Sequence, residues 1–486
     1  VRPIGIGLGV GFIAGAAAGV TPVAAWDAST STLAQLTALA SVSRPSLATM
    51  FDSTGKLTYG PNNLLTQSNT FSNAAWTANS NQVTVTSGFT DPLGGSNAWR
   101  LQGTGNSWYL LQQLSYTGQT LITFWVKSNT GLTQNVKLVT GGNGGADIPV
   151  TTSWTQIALA GLNPTTPNGS YVGIRRDAAN SLADILIYAP TASAVTYETT
   201  PRTGDQVITT SAAYYGPRID YDPATLAVKG LLIEEARTNA SYPSTGSLSG
   251  GNWTVTALNY PSATTGIDGT NSAVKAALSA GTSASAGYAI STTASNTGVV
   301  SAYARPAGYN YLILVRGAYA SNDWAIFDVN GGTVVQAPTF AGSTAIIRQG
   351  PNGFWYCELR STQNTTISAF SVTSAVNNTA NANGTDGIYI TEFQTELGVT
   401  FGTSRIRTST ASVTRASDAL TAASLTTNPA IIQYRSISTG TRARKVINPW
   451  SGVSSEVDEW IEAIRIYPSG TSGTYLNTKL TVDGPW

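Results

Sequence analysis

The sequence predicts an all-β protein: two jelly-roll-type β-sandwich modules in tandem, with an N-terminal arm and a small C-terminal β appendage. Three observations predict it. From Phe71 to about Pro201 the chain is a series of short apolar runs broken by Gly, Asn, Ser and Pro clusters. The same order of runs returns about 200 residues later. Helical periodicity is scarce in both stretches.

Residues 1–45 read as the arm. Ile4 to Trp26 carries no charge and is rich in Gly and Ala. Its length would allow a membrane span, and Arg2 before an apolar run has the form of a signal peptide. The glycines from Gly5 to Gly19 make a poor isolated helix, so we expect an arm buried against a neighbouring subunit. Ser31–Ala40 predicts one short helix, with Leu33, Leu36 and Leu39 at three-residue spacing.

The first module is expected over residues 46–204. Phe51-Asp52-Ser53-Thr54-Gly55-Lys56-Leu57 predicts strand, turn, strand, with Gly55 free to take positive φ. Asn63-Leu64-Leu65 follows, and then Trp76. Leu121 to Val126 is apolar on both alternating faces, which suits a central strand covered on each side. Trp154–Leu159 and Ile185–Tyr188 are two more strands. Trp125, Trp154 and Phe354 read as core.

Residues 205–245 read as a linker around Gly230–Asn239, GLLIEEARTN, which follows Asp220-Tyr221-Asp222-Pro223. Leu231, Leu232 and Ile233 can pin this peptide to a core while Glu234, Glu235 and Arg237 stay wet or paired. The second module, 246–420, repeats the first in order. Thr123–Lys127 corresponds to Ser301–Arg305, and Trp154–Leu159 to Phe354–Leu359. Ile185-Leu186-Ile187 corresponds to Ile388-Tyr389-Ile390, and Val195-Thr196-Tyr197 to Val399-Thr400-Phe401. On this register Cys357 takes an Ile position, so it reads as a small buried hydrophobe rather than a nucleophile. Asn330-Gly331 between apolar alternations predicts a hairpin. Residues 421–486 form the appendage, too short for a core of their own and expected to pack on the second module or on another subunit.

These stretches also carry a family resemblance. GLLIEEARTN after a YDP segment resembles a recurrent signature of tailed-phage structural proteins with carbohydrate-binding-like β-sandwich modules. Arg44–Asn63 resembles the entry motif of that family, and Gly350–Leu359, GPNGFWYCEL, resembles its "NGWYRC" strand. Phe393–Arg415, running into Ala416 as Ser412-Val413-Thr414-Arg415-Ala416, resembles the closing stretch of that family, in which a strand end is followed by "AVTRA". One departure is that Asn239 is followed by Ala240-Ser241-Tyr242 instead of Leu-Leu, which leaves the start of the second module open. The resemblance implies a virion structural protein on the phage particle surface, of tail-fibre or spike type. It implies other virion proteins as partners and a homo-oligomer, most simply a trimer; it implies carbohydrate-binding-like modules and leaves a host surface glycan open as their ligand. A head-decoration or head-fibre role is the alternative within the virion, and a polysaccharide depolymerase the alternative from another class.

Composition narrows the chemistry. Charged residues are only 10% of the chain and the net charge is +1, so no global field steers nucleic acid, and no nucleic-acid partner is expected. The local basic cluster Arg435, Arg442, Arg444 and Lys445 reads as a solvated strand edge. The chain has no His and one Cys, which removes Ser-His-Asp and Cys-His mechanisms, disulfides within the chain and cysteine metal cages. Carboxylates are the remaining catalysts: Asp220, Asp222, Glu234, Glu235, Glu392 and Glu396. Glu234 and Glu235 are adjacent, so on a strand they face opposite ways. Glu392 and Glu396 share a strand face but lie about 13 Å apart, too far for a glycosidase pair. We therefore expect no catalytic residue, no metal, no cofactor and no enzymatic activity. Aromatic rings are the better lead, because flat rings stack on sugars. The carbohydrate-binding candidates are Trp108 and Tyr109 in the first module, one of which must point away from the core, and Tyr309, Tyr311 and Trp324 in the second.

Overall fold

The computed structural model describes residues 20–482, apart from 80–81, 105–106, 142, 163–169, 178–182, 203–205, 283–286, 318–322, 375–381 and 454–458. The protein is all-β, built from multiple antiparallel sheets, with 52% of residues in strands and 4% in helix.

In the first β-rich region, two sheets face each other. One runs in the order Thr155–Leu162, Gln119–Ser128, Asp184–Ala194, Ala98–Gly103, Val83–Phe89. The other runs Asn143–Gly144, Gln134–Thr140, Tyr171–Arg176, Trp108–Gln113, Thr77–Ala78. Alternate residues of both sheets, such as Ile122, Phe124, Leu110, Leu138 and Ile174, fill the space between them and are fully buried. Burying each such side chain contributes about 1.5–3 kcal/mol. Trp125 and Trp154 are corrected: both are only partly buried, whereas Phe354 is fully buried. Trp125 stands next to a register shift, on the face opposite Phe124.

The second region forms one eleven-stranded sheet, because Tyr288–Ala307 and Trp355–Thr373 are long enough to serve both layers. They bend where their mutual register shifts, between Thr292 and Gly298. The pairing repeats the first region residue for residue. Thr123 lies opposite Ala158 and Lys127 opposite Leu186. Ser301 lies opposite Glu358 and Arg305 opposite Tyr389. A bulge interrupts both copies at the same step, and the extra residue takes positive φ in each, Ala189 at 42° and Glu392 at 52°.

A buried Asn anchors each copy. Asn63 Oδ1 accepts from the N–H groups of Leu65 (3.2 Å) and Ala192 (3.0 Å), and its Nδ2 donates to the carbonyls of Pro190 (3.3 Å) and Val207 (2.9 Å). Asn239 does the same with Ser241 (3.1 Å), Thr395 (3.0 Å), Phe393 (3.1 Å) and Ile406 (2.9 Å). Ten to fifteen residues on, the indoles of Trp76 and Trp253 donate to the Gln67 and Pro243 carbonyls, each at 2.9 Å. The internal correspondence therefore reaches back to Asn239 even though Ala-Ser replaces Leu-Leu there.

The expected arm, linker and appendage share a third sheet. Its order is Ile219–Tyr221, Val228–Ile233, Glu459–Ile466, Ala430–Ser436, Arg442–Ile447, with Ala24–Asp27 also on Glu459–Ile466. Leu231, Leu232 and Ile233 are all buried, so GLLI is a strand interior and not a connector. Trp26, Leu231, Ile233, Ile432, Trp450 and Ile464 make the core of this sheet. The short helix is present as Leu33–Leu39, capped by Thr32 and Gln35 in a capping box, with Leu36 and Leu39 buried. Ala40–Ser43 pairs with Ala419–Ala422. Much of the expected arm is thus part of the chain's own fold, and residues 1–19 lie outside the described residues. Among the described residues no helix is long and apolar enough to cross a membrane.

Two turns match their sequence signals. Asp52 Oδ1 accepts from the Thr54 (2.8 Å) and Lys56 (3.0 Å) N–H groups, and Gly55 has φ 78°. Asp328 Oδ1 likewise gathers the N–H groups of Asn330 and Gly331 in the hairpin between Asp323–Asp328 and Thr333–Gln336. The basic cluster lies on or beside the edge strand Arg442–Ile447, where Arg435 and Arg442 pair with Glu462 and Lys445 with Glu459.

The Asn anchors give a direct test. Asn239→Ala leaves the Ser241 and Thr395 N–H groups buried without an acceptor, and should destabilise the protein by about 3 kcal/mol in urea denaturation. Asn63→Ala should cost a similar amount. A loss below about 1 kcal/mol in both would show that the anchors are dispensable.

Candidate functional site

The carboxylates weighed as catalysts have structural duties. Glu234 is 1% exposed and receives Arg218 Nη1 at 2.8 Å, Arg415 Nη1 at 3.0 Å, the Ser404 N–H at 2.8 Å and the Ser404 hydroxyl at 2.6 Å. Burial would raise its pKa, but Arg415, Arg218 and Ser404 outweigh burial and hold it down to about 2. Glu235 pairs with Arg237. Asp220 accepts from the Phe51 N–H (2.8 Å) and the Trp460 indole (2.9 Å), and Asp222 accepts from the N–H groups of Ala224 and Thr225. Glu392 is held by Arg407, and Glu396 by the N–H and hydroxyl of Thr403. Their expected placement on one face is corrected, because the bulge at Glu392 inserts a residue and breaks the even alternation. Cys357 is fully buried, and burial pushes its thiol well above the usual range.

A cleft of 510 Å³ lies between Trp26, Met50, Tyr197, Tyr221 and Arg202. Its two carboxylates are engaged in local structure: Asp52 in the turn above and with the Tyr197 hydroxyl, and Glu198 with the Thr196 N–H and Arg202. Among the described residues no group of three or more His, Cys, Asp or Glu is placed to hold a metal ion.

The aromatic candidates separate by burial. Trp108 is 1% exposed, packs in the core of the first β-rich region and is removed as a ligand contact. Tyr309, at 8%, belongs to the core of the second region and is removed for the same reason. Tyr311 and Trp324 do share a face of adjacent strands, with Tyr311 opposite Asp328 and Trp324 opposite Val315. Between them lie Ile313, Val315 and Ile326, each below 5% exposed, so both rings rest against that core.

Tyr109 is different. It is 37% exposed on the outer face of the strand Trp108–Gln113. Register places Arg175 directly opposite Tyr109, and Lys137 directly opposite Arg175. The three side chains therefore form a row across three strands, with neighbouring Cα atoms about 5 Å apart. Asp177 bridges the two cations, 3.0 Å from Arg175 Nη2 and 3.3 Å from Lys137 Nζ. On the same face, Tyr171 stands four residues from Arg175, about 13 Å along the strand. Gly173 lies between them, opposite Leu111 and Val139. A Cβ on Gly173 would sit 2.2 Å from the Leu110 carbonyl oxygen and 3.0 Å from Leu111 Cδ2, so the close approach of the strands requires glycine there, and Gly173 is buried. The result is a shallow trough whose middle, Gly173 and Val139, is buried, with the exposed Tyr109 and a guanidinium at one end and the half-buried Tyr171 at the other. Two rings at that spacing can stack on separate units of a polysaccharide.

Sequence reasoning identified Tyr109 but missed Tyr171, Arg175 and Lys137. The period-two run Tyr171-Val172-Gly173-Ile174-Arg175 carried the signal; its pairing partner was not legible.

No protein-family model matches the chain, and no curated protein matches it. One solved structure, described as Streptomyces albus HEPD with substrate 2-hydroxyethylphosphonate and Fe(II) bound, aligns over 67% of this chain and 76% of that one. The identity is 10% and the TM-score 0.12, a level that carries no argument for fold or function. The expectation that this chain has no enzymatic activity is corrected by withdrawal, and no activity is put in its place.

The Glu234 pair predicts a pH dependence. The folded-state pKa of Glu234 lies below the ordinary 4.5, so its contribution is present above that value and is lost as pH falls toward 2. The loss is on the order of 3 kcal/mol. Denaturation midpoints measured between pH 5 and pH 2 should fall, and Glu234→Gln should be less stable at pH 7 with a flatter acid limb.

Proposed function

We propose that the protein is a structural subunit of a tailed-phage appendage that attaches to a host-surface glycan. In this reading the two β-rich regions are tandem jelly-roll-type modules, and the first presents the glycan-binding face. The observation that carries it is the outward row of Tyr109, Arg175 and Lys137 across three strands, with Tyr171 further along the same face. The resemblance of GLLIEEARTN and the repeated strands to phage appendage proteins supports the setting. A surface rich in Ser, Thr, Asn and Gln and poor in charge suits contact with hydroxyl-bearing polymers.

The subunit is proposed to act as a homotrimer, joined to other virion proteins. Residues 24–27 and 40–43 are paired in the chain's own sheets, so the proposal assigns assembly to residues 1–19, which carry no charge after Arg2. Several copies would turn weak sugar contacts into useful avidity.

Two measurements test this. Full-length protein should bind purified envelope polysaccharide of its host, and Tyr109→Ala should weaken binding about tenfold with the thermal midpoint unchanged. Unchanged binding would remove the trough from the account. Deleting residues 1–19 should convert trimer to monomer by light scattering; an unchanged mass would assign assembly to another surface.

A further inference from the structure

The two repeated regions differ where the trough lies, and the difference has a sign. Leu110, Ile174 and Leu138 pair as a row in the first region, and Ala289, Phe370 and Leu314 pair as the matching row in the second. One step along each strand, Tyr109, Arg175 and Lys137 therefore correspond to Tyr288, Ser371 and Ile313. Ser371 is fully buried and Ile313 is 3% exposed, so the second copy covers this row. The first copy leaves it open and replaces Ser and Ile with two cations.

We infer that the trough of the first region selects anionic glycans, bearing carboxylate or other acidic substituents, over neutral ones. The inference rests on the glycan-binding reading above and adds the class of sugar. Arg175 has the planar fork that matches a carboxylate, and its guanidinium is packed closely against Gly144, where a Cβ would fall 2.5 Å from Nη2. Its Nε is buried without a hydrogen-bond partner. Lys137 stands beside it with its side chain 26% exposed. Asp177, 40% exposed, neutralises one of the two charges and leaves a net positive row next to the Tyr109 ring. An acidic sugar stacked on Tyr109 would bring its carboxylate to the guanidinium and compete with Asp177 for it.

Native gels containing polygalacturonate or dextran separate the possibilities for the full chain. Polygalacturonate should retard the protein more strongly than dextran, and the difference should shrink as sodium chloride is raised. Arg175→Gln and Lys137→Gln should each weaken retention by polygalacturonate about tenfold and leave retention by dextran unchanged. Asp177→Asn removes the competing carboxylate and should strengthen retention by polygalacturonate; a misfolded variant cannot produce that gain. Equal retention by the two gels, or an Asp177→Asn that weakens binding, overturns the inference while leaving the glycan-binding reading in place. Retention by neither gel overturns both.

Discussion

Two buried carboxylates, Glu234 and Asp418, hold three arginines away from solvent, and the arrangement of the whole chain depends on that. Arg218 binds both carboxylates, Arg415 binds Glu234, and Arg44 binds Asp418 at 2.8 Å. All five side chains are at most 1% exposed. Charges taken that far from water need nearly every hydrogen bond satisfied, and the backbone supplies many of them. Arg218 reaches the Thr49 carbonyl, Arg415 the Glu235 carbonyl, and Arg44 the Ser46 carbonyl. With three cations on two anions, one charge is in excess; burial, and after it Arg218, lowers the Arg44 guanidinium to about 10. The network ties together residues 44, 218, 234, 404, 415 and 418, which, 404 apart, flank Ala40–Ser43, Ile219–Tyr221, Val228–Ile233 and Ala419–Ala422 or end Val413–Arg415. Removing one partner from such a cluster leaves an uncompensated charge inside, so the network can form only as a unit.

The two β-rich regions show what the fold holds constant and what it releases. The backbone scheme is held: the Asn anchor, the indole bond to a carbonyl, the strand register and the bulge with its left-handed residue. A bulged residue at positive φ costs energy for Ala189 and Glu392, neither of which is Gly, so the surrounding register must impose it. The outward-facing side chains are released. Lys137 and Arg175 stand where Ile313 and Ser371 stand, and the same scaffold yields an open charged row in one place and a covered apolar one in the other.

Much of this was legible in the sequence, for identifiable reasons. The repeat was readable because strand side chains alternate with a fixed period, so Thr123 and Ser301 could be aligned without knowing their partners. The helix at Leu33 and the turn at Gly55 were readable because leucine spacing and a glycine free to take positive φ are signals within a few positions. The pairing of Ala24–Asp27 with Ala463–Ile466 was not readable, because no local signal links residues more than 430 positions apart. GLLIEE was taken for a connector because its acidic end looks solvent-bound; its arginines come from elsewhere in the chain. Trp108 and Tyr109 showed that one ring must face outward, and only the structure told which. The trough was missed because its members sit on three strands that are not adjacent in sequence.

The pairing of Ala24 with Ile466 also sets how the protein would carry load. The chain enters one strand and leaves the other at the same end of the ladder. Tension applied through the segments before residue 24 and after residue 466 would open that ladder one hydrogen bond at a time, like a zipper, instead of shearing all four pairs together. Unzipping needs far less force than shear. The joint between the two ends would therefore yield first, and would lengthen the chain while both β-rich regions stayed folded.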